Sequence, residues 1–355
     1  MDGSLLAVAL PFAPSNEVLV IDIAARRGWR LRHRHRRVLV TTPVFLPDGR
    51  LSLIVSPPPQ YLGVSEIWII DVRSGASSAC ISGRPAYLYR RPHFSADSTK
   101  CVAFREADDA LYPWPEGRPR REYREPHPVS LFEIDLATRS EQRLSARAFE
   151  NGSAFYAGDR DGYYLSTSDP LITTPPLWPG GPSGYEGPDF LAVLNEEHYP
   201  FNGFFITQGE EFIDRPTGVI PDALFDADQS RGSHAYLEDA DYTGGLVISY
   251  QHPHPNAAFG LCISAAIVRG GEVVKRVELD GPRLDTPRIS GDGQTVAGLL
   301  GARRENGTDV GFPYEDRPYL LVIDRDGTRE FLSVEDIAFD QLAMTLQPHE
   351  HAEIV

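Results

Sequence analysis

The sequence predicts an all-β protein, a six-bladed β-propeller of four-stranded antiparallel blades. Three observations carry this reading. An aliphatic strand ending in aspartate recurs, as Val18–Asp22, Ile67–Asp71, Leu131–Asp135 and Leu320–Asp324. A proline-led turn recurs ahead of it, as PVFLPDG from Pro43, PHFSADS from Pro92 and PRISGDG from Pro287. The spacing of the two patterns counts the units. Asp48 and Asp97 lie 49 residues apart, whereas Asp97 to Asp292 is three steps of 65 and Asp135 to Asp324 three steps of 63. Two degenerate units therefore sit between the third unit and the last.

Each element follows from local chemistry. Asp-Gly supplies the positive φ of a tight hairpin. Runs rich in valine, isoleucine and aromatics suit a sheet packed on both faces. With the four strands of a unit called a to d, the first unit (1–37) holds b at Leu5–Leu10, c at Val18–Ile23 and d at Trp29–Arg32, and lacks a. Units two and three span 38–84 and 85–146. Unit four (147–213) is read from Ser153–Tyr156, Tyr163–Thr167, Phe190–Leu194 and Phe204–Thr207. Unit five (214–281) is read from His234–Leu237, Leu246–Tyr250, Leu261–Val268 and Val273–Leu279, and unit six spans 282–335. The C-terminal stretch 336–346 falls where a seventh strand a is due. It is expected to complete the N-terminal blade and close the ring, making 1–355 one domain. Asn195–Pro221 interrupts the ladder and reads as an extension of strand d or as a lid.

The Pro-x-aromatic-Ser-x-Asp-Gly turn followed by a strand ending in Ile-Asp resembles the repeat of TolB-type propellers. The same repeat forms the propeller domains of tricorn and prolyl-oligopeptidase-like peptidases. The likeness is good in units two, three and six and weak in four and five. It implies a fold used by binding proteins, lyases and peptidase gates alike, so it carries no function with it.

Composition narrows the function. The net charge of −16 repels nucleic-acid phosphates, and no apolar run approaches the ~18 residues of a membrane helix, so neither nucleic acid nor membrane is an expected partner. Only Lys100 and Lys275 are lysines, which reads as the bias of a high-GC, bacterial genome. Cys80, Cys101 and Cys262 form no CxxC pair and read as buried thiols. The N-terminus lacks a basic n-region, so a cytoplasmic protein is expected. No G-x-S-x-G elbow occurs, and GGPSG from Gly180 has the wrong spacing, so a serine peptidase is not expected.

The chain spends about 59 residues per unit, against about 40–45 for a compact blade. The excess falls mainly between strands b and c, at Ser56–Ser65, Arg105–Pro128, Ser168–Pro188, Gln251–Gly260 and Gly301–Pro318. These loops thicken one face and are rich in proline and aromatics. Tyr112, Trp114, Trp178 and Tyr314, with Arg288 and Arg303, are the expected substrate-binding residues. His93, His234 and His252 stand near the mouth of the channel and, with Arg105 and Asp169, are the expected acid–base groups. The run RHRHRR from Arg32 reads as a solvated turn. No cofactor is expected. A divalent metal on His252, His254 and either His234 or His93 is the one donor set the sequence offers. Two functions remain open: a non-hydrolytic enzyme (lyase, isomerase or cyclase) acting on a small organic molecule, and a non-catalytic scaffold for a protein partner, a basic one given the acidity.

Overall fold

The computed structural model describes residues 3–9, 16–34, 39–56, 66–82, 89–106, 129–149, 153–159, 161–166, 204–206, 217–224, 235–253, 261–279, 284–300, 320–325 and 327–346. The chain is an all-β propeller built of mostly antiparallel four-stranded sheets. The first sheet contains β1 (Leu5–Ala9), β2 (Glu17–Asp22) and β3 (Arg27–Arg32). The second contains β4 (Leu39–Phe45), β5 (Leu51–Ser56), β6 (Glu66–Ile70) and β7 (Ala76–Ser82). The third contains β8 (Tyr89–Phe94), β9 (Lys100–Glu106), β10 (Val129–Asp135) and β11 (Glu141–Phe149). The fourth contains β12 (Ser153–Tyr156), β13 (Tyr163–Ser166), β14 (Phe204–Ile206) and β15 (Thr217–Gly218). The fifth contains β16 (Ala235–Ala240), β17 (Gly245–Pro253), β18 (Leu261–Arg269) and β19 (Glu272–Val277). The sixth contains β20 (Leu284–Ile289), β21 (Thr295–Leu300), β22 (Leu320–Arg325) and β23 (Thr328–Ser333). Two last strands follow, β24 (Ala338–Ala343) and β25 (Thr345–Leu346).

Packing between sheets makes the core. Val20 and Leu31 of the first sheet pack with Leu53 and Trp68 of the second. Ile67 of the second packs with Phe94 of the third. Further clusters join the third to the fourth, the fourth to the fifth and the fifth to the sixth. Leu19 and Ile21 of the first sheet pack in turn with Leu321 and Ile323 of the sixth. The recurring aspartates close turns, as expected: Asp71 Oδ1 accepts from the Arg73 and Ser74 N–H groups, and Asp135 Oδ1 from those of Ala137 and Thr138. Three such donors hold a carboxylate charged, so hydrogen bonds from Ser95 and Thr99 lower the Asp97 carboxyl to about 2.

Two expectations are corrected. The six-blade count does not hold in full. Five sheets, the second to the sixth, carry an innermost strand of their own, and the first has none among the described residues. The C-terminal stretch does not supply it. β24 joins the first sheet, but on the outer edge, parallel to β3, with Ala338 opposite Arg27 and Ala343 opposite Arg32. β25 then pairs with β7 of the second sheet, Thr345 opposite Ala76. The reason is the path. β23 is the outermost strand of its sheet, and one short turn, Val334–Asp336, separates it from β24. A link that short delivers the chain to the nearest periphery. The inner edge lies a full sheet width away, at about 4.8 Å per strand.

Two further readings change. The third strand of the fourth sheet is Phe204–Ile206, expected as strand d, and Thr217–Gly218 makes the fourth. Phe190–Leu194, expected as strand c, lies outside the described residues. His33 is not in a solvated turn. It is buried, its ring 4.9 Å from that of Trp68. Cys101 and Cys262 are buried free thiols, as read.

Candidate functional site

A cavity of about 330 Å³ lies at the hub, and the inner strands wall it. Its lining takes in β1, residues 42–46 of the second sheet, Pro92 and His93 of the third, Phe155 of the fourth, Glu238–Ala240 of the fifth and Thr286 with Arg288–Gly291 of the sixth. The proline-led motif acquires its physical role here. Four inner strands each carry a one-residue bulge where they meet the cavity: between Thr41 and Val44, Arg90 and His93, Leu237 and Asp239, and Asp285 and Arg288. Proline cannot donate to a ladder and is tolerated on an inner edge at a bulge. Thr42 and Thr286, each just before the proline, sit at φ of 50° and 46°. A β-branched residue in that region stores strain.

The bulges also fix an equivalence. Val44, His93, Asp239 and Arg288 follow the bulge in their respective strands and face the same hub. His93 is 4% exposed. Its Nδ1 accepts from the Tyr156 N–H at 3.1 Å, and its Nε2 contacts the Ala240 carbonyl at 3.2 Å. A backbone N–H can only donate and a carbonyl can only accept, so the ring is the neutral Nε2–H tautomer. Its ring stacks on Tyr242 at 5.3 Å and meets Phe155 edge-on at 5.4 Å. Burial pushes its pKa down, against the pull of Asp239 and Asp241. Protonating Nδ1 would also set two N–H donors face to face. His93 therefore ties the third, fourth and fifth sheets together as a neutral ring.

Beside it, Asp239 keeps some surface in the cavity while protein atoms enclose its carboxyl. Burial pushes its pKa up, and Arg288 and His93 partly offset this. Asp239 Oδ2 accepts from the Ile289 N–H at 3.0 Å, joining the fifth sheet to the sixth. Arg288 Nη1 returns the link, donating to the Glu238 carbonyl at 2.6 Å and lying 3.8 Å from the Glu238 carboxylate. Glu238 in turn accepts from Ser249 Oγ at 2.9 Å.

Of the residues expected from sequence, His93 and Arg288 come together here. His252 does not. It sits on β17, its Nε2 2.8 Å from Ser264 Oγ, and does not line the cavity. Arg105 does not either. It is buried within the third sheet, 2.8 Å from Glu141 and 3.9 Å over the Phe132 ring. His234, His254, Asp169, Tyr112, Trp114, Trp178, Arg303 and Tyr314 lie outside the described residues, as do most residues of the aromatic loops. Among the described residues no group of three or more metal-ligating side chains gathers, and no helix is long and apolar enough to cross a membrane. Sequence reasoning missed Glu238, Asp239 and Tyr242. Aligning the degenerate fifth unit by its turn, with Asp241 where Ser95 and Ser290 stand, would have placed Asp239 opposite His93.

No family model matches the chain, and no curated protein does. Solved structures do resemble it. TolB from Acinetobacter baumannii superposes with a TM-score of 0.54 at 15% identity, over 94% of this chain and 64% of that one. The β-propeller domain of the Trilobed protease from Pyrococcus furiosus gives 0.44 at 13%, over 94% and 90%. An acylaminoacyl peptidase gives 0.46 at 12%, over 93% of this chain and 51% of that one. The chain thus spans less than two thirds of TolB and about half of the peptidase. At such identities the likeness to TolB concerns the fold alone: the chain is a β-propeller of TolB-like architecture.

Proposed function

We propose that this protein is a binding propeller that holds its ligand in the central cavity and does no chemistry on it. The supporting observation is His93. It is the one expected acid–base histidine on the cavity wall among the described residues, and both its ring nitrogens are engaged by backbone. A group so held positions sheets and does not shuttle protons. In this reading residues 1–355 form one ring with six positions, and the partner is a basic protein, as the charge of −16 favours.

The test is a photo-crosslinking amino acid in place of Phe45, on the cavity wall, with Val274, on an outer strand, as control. The Phe45 variant is expected to capture a bound species that the Val274 variant does not. That species, incubated with the unmodified protein, is expected back unchanged in mass and in covalent structure. Equal capture at both positions, or turnover of the captured species, overturns the proposal.

One observation favours the second reading, an enzyme acting on a small organic molecule. The Asp239 carboxyl has a raised pKa and borders the same cavity as Arg288. A carboxylic acid of that kind suits proton donation. Turnover that Asp239→Asn abolishes, with the fold intact, would establish this reading in place of the first.

A further inference from the structure

We propose that the first sheet is completed by an extended cationic segment of a partner protein, added as a strand along the free edge of β1. The inference rests on the reading of the chain as a binding propeller and names the kind of ligand.

β1 occupies the second position of its unit. Leu6 opposes Ile21, one residue before the terminal Asp22 of β2, as Leu51 opposes Ile70 before Asp71 and Cys101 opposes Ile134 before Asp135. In the second and third sheets the strand on the cavity side of that position is β4 or β8, antiparallel to its neighbour. In the first sheet nothing stands there among the described residues. The consequence is exposure. Residues 51–55 and 101–105 are buried throughout, whereas in LLAVA of β1 only Val8 is.

The orientation of the unpaired groups follows from the ladder. Ser4 and Ile23 are opposite residues, and the Ser4 carbonyl accepts from the Ile23 N–H at 3.1 Å. In an antiparallel pair such bonds recur at every second residue, and a residue's N–H and carbonyl point to the same side. Leu6 and Val8 therefore bond to β2, and the N–H and carbonyl groups of Leu5, Ala7 and Ala9 face the cavity side. A row of unpaired main-chain groups beside an apolar cavity is the setting in which extended peptides add to sheets.

The slot has apolar walls. Val44 and Phe45 of the second sheet stand on one side, and Ala297 and Leu299 of the sixth on the other. A strand there would pack alternate side chains against each wall. The charge around it selects the occupant. Glu238 and Asp239 border the cavity against the single Arg288, and the whole chain carries −16. That field attracts a cationic segment and repels a second copy of the chain.

The probe is a capped synthetic peptide, Lys-Lys-Val-Ile-Val-Ala-Lys-Lys, fluorescently labelled and titrated into the full chain, with a Glu-flanked version as control. Hydrogen exchange is followed at β1. The expected result is saturable binding by the Lys-flanked peptide and weaker binding by the Glu-flanked one. On binding, the Leu5, Ala7 and Ala9 amides slow, while those of Leu6 and Val8 do not change. Ala7→Pro removes one outward N–H and leaves the β1–β2 ladder intact, and is expected to weaken binding about tenfold. Should Ala7→Pro unfold, Leu5→Pro at the strand's first residue makes the same test.

Three results overturn the proposal. Outward amides already slow in the free protein would mean that the chain itself, or a second copy, fills the slot. Binding that Asp239→Lys abolishes but Ala7→Pro spares, without amide protection, would sink strand addition and leave the cavity reading standing. No binding by this probe, while the Phe45 crosslinker still captures a ligand, would do the same. Failure of both experiments would remove both readings.

Discussion

β1 and β5 carry the same part of the repeat in neighbouring sheets, yet their surroundings differ. Leu51 and Leu53 of β5 are fully buried, covered by β4 on the cavity side. Leu6 of β1, which stands where Leu51 stands, keeps part of its surface. The third to sixth sheets are also tied to one another at the hub, through His93, Asp239 and Arg288. The first sheet meets its neighbours mainly by apolar packing, with Arg325 donating to the Gly3 carbonyl and Arg26 pairing with Glu330 on the sixth sheet's side, and its C-terminal strand secures it from outside. One repeat thus yields a cross-linked arc and a sheet whose inner edge no strand covers among the described residues.

The largest expected effect breaks the arc. His93→Ala leaves the Tyr156 N–H and the Ala240 carbonyl without their partner and opens a void, which costs about 3–5 kcal/mol. A lowered urea midpoint at unchanged m-value would confirm it. A loss under 1 kcal/mol would mean that the hub does not depend on this ring.

The comparison sharpens with paired truncations. Leu51→Ala is expected to cost about 3 kcal/mol, and Leu6→Ala about half as much, because less apolar area leaves water on folding there. Equal losses would mean that β1 is as well covered as β5.

Stability should also depend on pH with a sign set by the arc. The folded-state pKa of His93 lies below its ordinary value of 6.5. The unfolded chain therefore binds the proton first, and stability falls as pH drops below 6.5. Thermal melts of His93→Gln should lack that part of the acid slope.

The smallest effect concerns Asp239, whose folded-state pKa is raised above 3.8. Its favourable contribution is present at acid pH and lost as pH rises through the folded value. Asp239→Asn should therefore raise the melting temperature at pH 7 and leave it unchanged near pH 3. A lower melting temperature at pH 7 would show that the Arg288 pairing outweighs the burial.

The legible part of this molecule was local. Val18–Ile23, Ile67–Asp71 and Leu131–Asp135 read as strands by composition, and each falls within a few residues of β2, β6 or β10. The first unit reads as lacking an inner strand of its own, and it has none among the described residues, but the expected donor, 336–346, goes to the outer edge. The site was only half legible. His93 and Arg288 follow recognisable prolines, whereas Asp239 lies in a unit whose motif has eroded. His252 and Arg105 were expected at the mouth from the b–c loops they open, and each is instead engaged within its own sheet, by Ser264 and by Glu141.

By itself the sequence determined the repeat and the strand order in the units whose motif is clear, because these depend on contacts between residues close in the chain, and it left the position ahead of β1 without a strand of the first unit's own. Tertiary structure alone decided what stands beside that position. The destination of β24 depends on where β23 leaves its sheet. The protonation of His93 depends on an N–H and a carbonyl from two other sheets, 63 and 147 residues away. Such long-range pairings are set by how sheets pack around the hub, and no window of the sequence contains them.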